Sequence, residues 1–188
     1  LVIKRMNDFA KCGANVMPDA KSIASVCDFV IIAVKPQVYD TVLEDLKGYD
    51  KPVFISIAAG NTIKYIKSFL GEDVKVVRVM PNTPALIGEG MTAISAELPV
   101  TEDDENTVCE IFESIGLAER VSEKLMDAVV SVSGSSPAYV YMMIEAMADS
   151  AVADGIPRNL AYTLAAQAVC GSAKMVLETK QHPGKLKD

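Results

Sequence analysis

The sequence predicts an α/β domain, a doubly wound parallel sheet, followed by an all-α domain. Continuous apolar, β-branched runs at 29–34, 53–59 and 74–80 alternate with helical patterns, whereas beyond Ser131 only helical patterns rich in Ala, Gly and Ser occur. Runs that are apolar on both faces belong to parallel strands covered by helices on both sides. The stretch Ser131–Gly155 marks the change of character. We place the division at 123/124, with an α/β domain over 1–123 and a helical domain over 124–188.

Composition narrows the function. Half of the 188 residues are apolar, enough for a core, and 18 basic residues against 25 acids give a net charge of -7 without any basic cluster. That argues against nucleic-acid binding. Cys12, Cys27, Cys109 and Cys170 form no CxxC pair, so neither a zinc site nor a disulfide framework is indicated, and a reduced, cytoplasmic setting fits. No uninterrupted apolar run of about 18 residues is present to span a bilayer. The chain opens at Leu1 in what reads as the body of a helix, so a fragment is expected.

In chain order, Val2, Met6, Phe9 and Ala10 have helical spacing, and Gly13 is a natural stop after Cys12. Asp28 leads into the run Phe29–Val34, which ends at Lys35-Pro36. A helix over 38–46 leads to the run Val53–Ala59, stopped by Gly60. Thr62 opens a further helix, and Val74–Met80 then ends in Pro81-Asn82-Thr83-Pro84. Met91–Ala96 suits another strand. Thr101 caps a helix whose first turn, Glu102 to Glu105, is acidic, matching the positive helix end better than it suits a metal. Leu117–Val121 is a short strand, and 123–130 leads into the helical part. There Ser136-Pro137 starts a helix to Ala153 and Ile156-Pro157 a second over 158–178. Glu145 and Asp149, one turn apart, read as polar edges of a packed helix. The single histidine, His182, stands in the turn Gln181-His182-Pro183-Gly184. Helices this apolar and rich in small residues need a third surface, and an identical chain supplies it economically.

In parallel sheets of this kind ligands bind outside the carboxyl ends of the strands. Val34-Lys35-Pro36 offers a cation there, Ala58-Ala59-Gly60 lets a ligand approach the backbone, and Asn82-Thr83-Pro84 supplies an amide and a hydroxyl. Together they predict a ligand crevice. No G-x-G-x-x-G occurs, and the pair Gly88 and Gly90 has no third partner. A dinucleotide fold of this type is therefore expected to have its opening strand, glycine turn and helix upstream of Leu1.

The segments Ala33-Val34-Lys35-Pro36-Gln37, Ser56-Ile57-Ala58-Ala59-Gly60, Arg78-Val79-Met80-Pro81-Asn82-Thr83-Pro84, Ser133-Gly134-Ser135-Ser136-Pro137-Ala138-Tyr139, Asp154-Gly155-Ile156-Pro157-Arg158, Gly171-Ser172-Ala173-Lys174-Met175 and His182-Pro183-Gly184-Lys185-Leu186-Lys187-Asp188 recur in this order in one family. The chain resembles pyrroline-5-carboxylate reductase. The resemblance implies a Rossmann-like domain, incomplete at its N-terminus, and a helical domain that dimerises, often within a larger ring of dimers such as a decamer. It implies reduction of the cyclic imine pyrroline-5-carboxylate to proline with a hydride from NADPH or NADH. Its cofactor contacts carry over to Ala33, Val34, Lys35 and Pro36, to Ile57, Ala58 and Ala59, and to Asn82. It assigns no catalytic side chain within these residues and no metal.

Departures from the family pattern occur at three positions. Ala20 replaces an asparagine near the adenosine ribose, which leaves NADPH against NADH open. Ser136 replaces the second glycine of Gly-Ser-Gly-Pro, and Lys180 stands where relatives have an acid or glycine. The family's Ser-Pro-Gly-Gly-Thr-Thr segment, which holds the substrate carboxylate, is expected after Asp188, so these residues alone are expected not to complete the reaction. Ala20 and Ser136 support an alternative, a nucleotide-binding regulatory dimer with weakened catalysis. A hydroxyacid dehydrogenase would need a catalytic lysine in the helical half, where Lys174 is the candidate but belongs to the reductase pattern.

Overall fold

The computed structural model describes residues 8–188. Two compact units meet in sequence at Gly134 and Ser135. Of the helix expected over 1–12, the part before residue 8 lies outside the described residues. Its end is helical over 8–11, and Gly13 closes it at φ 84°, donating its N–H to the Ala10 carbonyl at 3.1 Å.

The first unit alternates strands and helices. Helix α1 (Ala20–Ala24) is capped by Asp19, whose carboxylate accepts the Ser22 N–H at 2.8 Å. Strand β1 (Phe29–Ile32), helix α2 (Pro36–Asp45), strand β2 (Val53–Ser56), helix α3 (Ile63–Leu70) and strand β3 (Val76–Met80) follow. A 3₁₀ turn (Thr83–Ile87) leads to β4 (Gly90–Ala96), helix α4 (Glu102–Glu113) and β5 (Gly116–Arg120). Thr62 caps α3 and Thr101 caps α4, as the sequence predicts, and the Asp104 carboxylate completes a capping box by accepting the Thr101 N–H.

The five strands lie in the order β1-β2-β3-β4-β5. β1, β2 and β3 are parallel, β4 is antiparallel to β3, and β5 is parallel to β4. Parallel neighbours need a crossover of about a dozen residues or more. The 3₁₀ turn after β3 is too short for that, so β4 must return antiparallel. Helices cover both faces. Val30, Ile32, Phe54 and Val76 pack under α2 and α3 through Tyr39, Leu43, Ile63 and Ile66. On the other face Val53, Ile55, Val77, Val79 and Ile94 meet Val108 and Phe112 of α4. Gly90 and Gly116 are cross-strand partners, and a Cβ on Gly116 would lie 2.1 Å from the Gly90 carbonyl oxygen, so this close approach requires glycine.

Two strands stop earlier than their apolar runs suggest, at Ile32 and at Ser56. The Ala58 N–H turns back to the Ser56 hydroxyl at 3.3 Å instead of continuing the ladder. The residues released this way are those of the candidate loops.

A row of buried polar side chains crosses the sheet at the level of Ser56, the last residue of β2. Ser56, Arg78 and Ser95 are register partners on the α2/α3 face and are 0%, 4% and 2% exposed. A buried guanidinium needs counter-charges. They come from the segment after β5, a 3₁₀ turn (Glu123–Leu125), helix α5 (Met126–Val129) and a π-helical turn (Val130–Gly134). Arg78 lies 3.6 Å from the Glu123 carboxylate and 3.1 Å from that of Asp127. Glu123 also accepts the N–H of Ile63, the first residue of α3, at 2.6 Å.

The second unit is a helical hairpin, α6 (Ser136–Ala153) and α7 (Arg158–Thr179), followed by the short α8 (Pro183–Lys187). Gly155 turns the chain between α6 and α7 at φ 95°. The hairpin buries small side chains, Ala148, Ala161 and Ala165, and leaves large ones exposed. Asp149 pairs with Arg158, whose guanidinium lies 5.6 Å from the Tyr162 ring centre, so this carboxylate fastens the hairpin. His182 stands not in an open turn but at the cap of α8, where its Nδ1 accepts the Gly184 N–H at 3.0 Å. Among the described residues α7 alone is long and apolar enough, by length and composition, to cross a membrane.

The Arg78 cluster yields an unequal pair of mutations. Glu123→Ala strips the partner that is itself mostly buried and orphans the Ile63 N–H, so it should cost about 2–4 kcal/mol. Asp127, 86% exposed, should cost under about 1 kcal/mol on truncation. Thermal and urea unfolding of both variants measure this, and equal losses would show that Glu123 is not the main partner.

Candidate functional site

Parallel pairing puts the loop starts side by side. Ile32 is the register partner of Ser56, and Ser56 of Arg78, so 33–36 and 57–60 leave the sheet as neighbours. β3 continues two residues beyond Arg78 to Met80, so 81–84 begins about 7 Å farther along the strand direction. The sequence-predicted residues fall into two groups. Ala33, Val34, Lys35 and Pro36 are all exposed, while Ile57 and Ala58 are half-buried and Ala59 is exposed. These two loops are brought together.

Helix N-termini carry partial positive charge and unmet N–H donors. At α3 the start is already taken, by the Thr62 hydroxyl on the Tyr65 N–H at 3.1 Å and by Glu123 on the Ile63 N–H. At α2 the N-cap residue is Lys35, and no side chain caps the helix. An ammonium group and an uncapped helix start therefore coincide at the end of β1, a combination suited to an anion. Gly60 has φ 84°, and a Cβ there would meet nothing within 4 Å. Its role is the left-handed backbone that turns the loop, not relief of crowding.

Asn82 is employed differently from the two loops. Its Nδ2 donates to the Ser133 carbonyl at 3.0 Å, and its Oδ1 accepts the Met91 N–H at 2.9 Å. It bridges the end of β3, the start of β4 and the π-helical turn, which leaves one amide hydrogen for any ligand.

Tyr39, Ser56, Arg78 and Glu123 escape sequence reasoning. Tyr39, 1% exposed in the first turns of α2, has its hydroxyl 2.6 Å from the Ser56 Oγ. Burial pushes the Tyr39 hydroxyl above its ordinary value of 10.0, against a smaller opposing pull from Ser56, so it stays a neutral hydroxyl at physiological pH. The available signal was polar side chains inside β-branched runs, Ser56 and Arg78, since a strand covered on both faces must pair them.

The departures at 20, 136 and 180 also have places. Ala20 is the half-buried first residue of α1. Ser136 is the first residue of α6, a right-handed helical position that any residue adopts, so it does not by its conformation require glycine. Lys180 ends α7 at φ 53°, the left-handed conformation that glycine occupies without steric cost. Two of the four acids at the start of α4 are held in ion pairs: Asp104 lies 2.7 Å from Lys75 and Glu105 3.3 Å from Arg120.

Comparison with known proteins covers both units. Residues 123–188 match the family model for pyrroline-5-carboxylate reductase dimerisation, and residues 3–60 match that for NADP oxidoreductase, coenzyme F420-dependent. Pyrroline-5-carboxylate reductase of Escherichia coli (strain K12) is 49% identical over 178 residues, covering 94% of this chain and 66% of that protein. The Glycine max protein of the same name is 40% identical over 188 residues, covering 99% of this chain and 68% of its own. The crystal structure of Plasmodium falciparum pyrroline carboxylate reductase with NADP bound superposes with a TM-score of 0.86 at 38% identity, over 93% of this chain and 67% of that one. The chain thus spans about two thirds of the length of these relatives. Similarity at this level, continuous from the sheet through the helical hairpin, gives a single assignment: the chain belongs to the pyrroline-5-carboxylate reductase family.

Proposed function

We propose that the protein reduces 1-pyrroline-5-carboxylate to L-proline with NADPH or NADH, a step of proline biosynthesis, and that it does so in the cytoplasm as a homo-oligomer. The observation that carries this reading is the pairing of 33–36 with 57–60 at the carboxyl ends of β1 and β2, with Lys35 at an uncapped helix start. Family membership supports it, as does the NADP in the Plasmodium falciparum structure.

The donor set fits a nicotinamide dinucleotide. Lys35 and the N–H groups at the start of α2 offer positive charge to phosphate oxygens. Ala33, Val34, Pro36, Ile57, Ala58 and Ala59 present small or apolar surface over which a flat ring and its ribose can lie, and Asn82 retains one amide hydrogen. When bound, the reduced cofactor supplies the hydride. The substrate's protonated C=N is already electrophilic: its carbon takes the hydride, its nitrogen keeps the proton, and the product is the secondary amine. No side chain of this chain is needed as acid or base for that balance, and its contribution is to hold the reacting atoms together. The division at 123/124, between cofactor domain and dimerisation and substrate domain, is supported by the start of the dimerisation match at residue 123.

The helical unit is our proposed dimer interface, within a larger ring of dimers. Tyr139, Met142 and Leu177 are 62%, 66% and 60% exposed, too much large apolar surface for one helical hairpin in water. This surface, rather than contact with a bilayer, accounts for the apolar character of α7.

Substrate-dependent oxidation of NADPH or NADH, with proline identified as product, tests the activity, and absence of proline would refute it. Lys35→Ala should weaken dinucleotide binding by about 1.5 kcal/mol, roughly tenfold, for a lost charge-assisted contact. Fluorescence titration measures it, and an unchanged dissociation constant would remove Lys35 from the site. Light scattering should find a dimer or a multiple of it, and Met142→Arg with Leu164→Arg should lower that mass or precipitate the protein. Ala165, 6% exposed inside the hairpin, is unsuitable for this test, because arginine there would break α6 from α7 first. A soluble unmutated monomer would contradict the interface.

A further inference from the structure

We propose that the Tyr39–Ser56 hydroxyl pair is a positioning element for the dinucleotide, coupling the loop 57–60 to the start of α2 so that the two cofactor loops are held as one surface. The inference rests on the proposed cofactor site. Ser56 is the last residue of β2 and fully buried, and its Oγ lies 2.6 Å from the Tyr39 hydroxyl. The same oxygen accepts the Ala58 N–H at 3.3 Å. Tyr39 follows Pro36 by three residues in α2, so its ring is anchored in the core directly behind the loop that carries Lys35.

The surroundings make two hydroxyls a poor choice for packing alone. Val30, Ile32, Phe54 and Val76 line this face, and a Phe–Ala pair would fill it without the desolvation cost of buried O–H groups. What the hydroxyls add is control of a loop peptide. The Ser56 oxygen has lone pairs for both Tyr39 and Ala58, so a hydrogen donated by Tyr39 leaves a second acceptor site directed at the loop. Fixing the Ala58 N–H fixes the whole planar Ile57–Ala58 peptide, with the Ile57 carbonyl pointing away from Ser56. Without the anchor, a loop turned at Gly60 has several backbone orientations open to it, and the cofactor must select one on binding.

Tyr39→Phe, Ser56→Ala and the double variant, made in the intact enzyme, test the inference through the Kd for NADPH and NADH and the KM of each reactant. Each single variant should raise the dinucleotide Kd and KM about three- to tenfold while the KM for pyrroline-5-carboxylate stays within about twofold. The double variant should match Ser56→Ala, because that change alone already removes both the bond to Tyr39 and the acceptor of the Ala58 N–H. Thermal melts distinguish a positioning role from a packing one: a lowered Tm with unchanged cofactor constants would overturn the inference, as would multiplicative losses in the double variant. Unmutated protein that binds no dinucleotide would refute the proposed function and this inference together, whereas normal binding by the unmutated protein beside unaltered variants would refute this inference only.

Discussion

The buried guanidinium of Arg78 is the constraint around which the sheet and the segment that follows β5 are arranged. A charge 4% exposed in a central strand is tolerable only if counter-charges reach it from outside the sheet. Glu123 supplies one and spends its carboxylate twice, on Arg78 and on the first N–H of α3. That second bond closes the α3 start to other anions. The neighbouring helix start, at Lys35, has no such side-chain cap. One buried charge thus helps to separate a structural helix terminus from one open to a ligand.

The same requirement ties the segment 123–134 to the sheet. Asp127 joins Glu123 at Arg78, Met126 is buried, and Asn82 reaches the Ser133 carbonyl from the end of β3. Residues 130–134 form a π-helical turn, an irregularity often found at functional sites. The segment matched by the dimerisation family therefore begins on contacts to β3, to the residue Asn82 that follows it and to the start of α3.

Much of this was legible in the sequence because it depends on local pattern. The β-branched runs, the Thr62 and Thr101 caps, Pro137 at a helix start and the apolar hairpin each have short-range causes and formed where their patterns lay, whereas α2 begins at Pro36, two residues before the helix read over 38–46. Strand ends were less legible: the apolar run 53–59 does not reveal that Ser56 turns the chain by binding the Ala58 N–H. The antiparallel return of β4 could have been inferred from the short connection after Met80. Asn82 shows the limit of motif reading, since its amide serves two backbone groups far apart in sequence. The Tyr39–Ser56 and Arg78–Glu123 pairs were hidden for the same reason, being separated by 17 residues in one case and by a whole strand–helix–strand passage in the other.

Amide hydrogen exchange with and without NADP⁺ tests most directly whether the loops at the carboxyl ends of β1 and β2 form the cofactor surface. Protection should rise at 34–38 and 57–61 on addition of NADP⁺, with little change in the face of α4 that packs under the sheet. Protection confined to other segments, with 34–38 and 57–61 unaltered at saturating NADP⁺, would contradict the assignment.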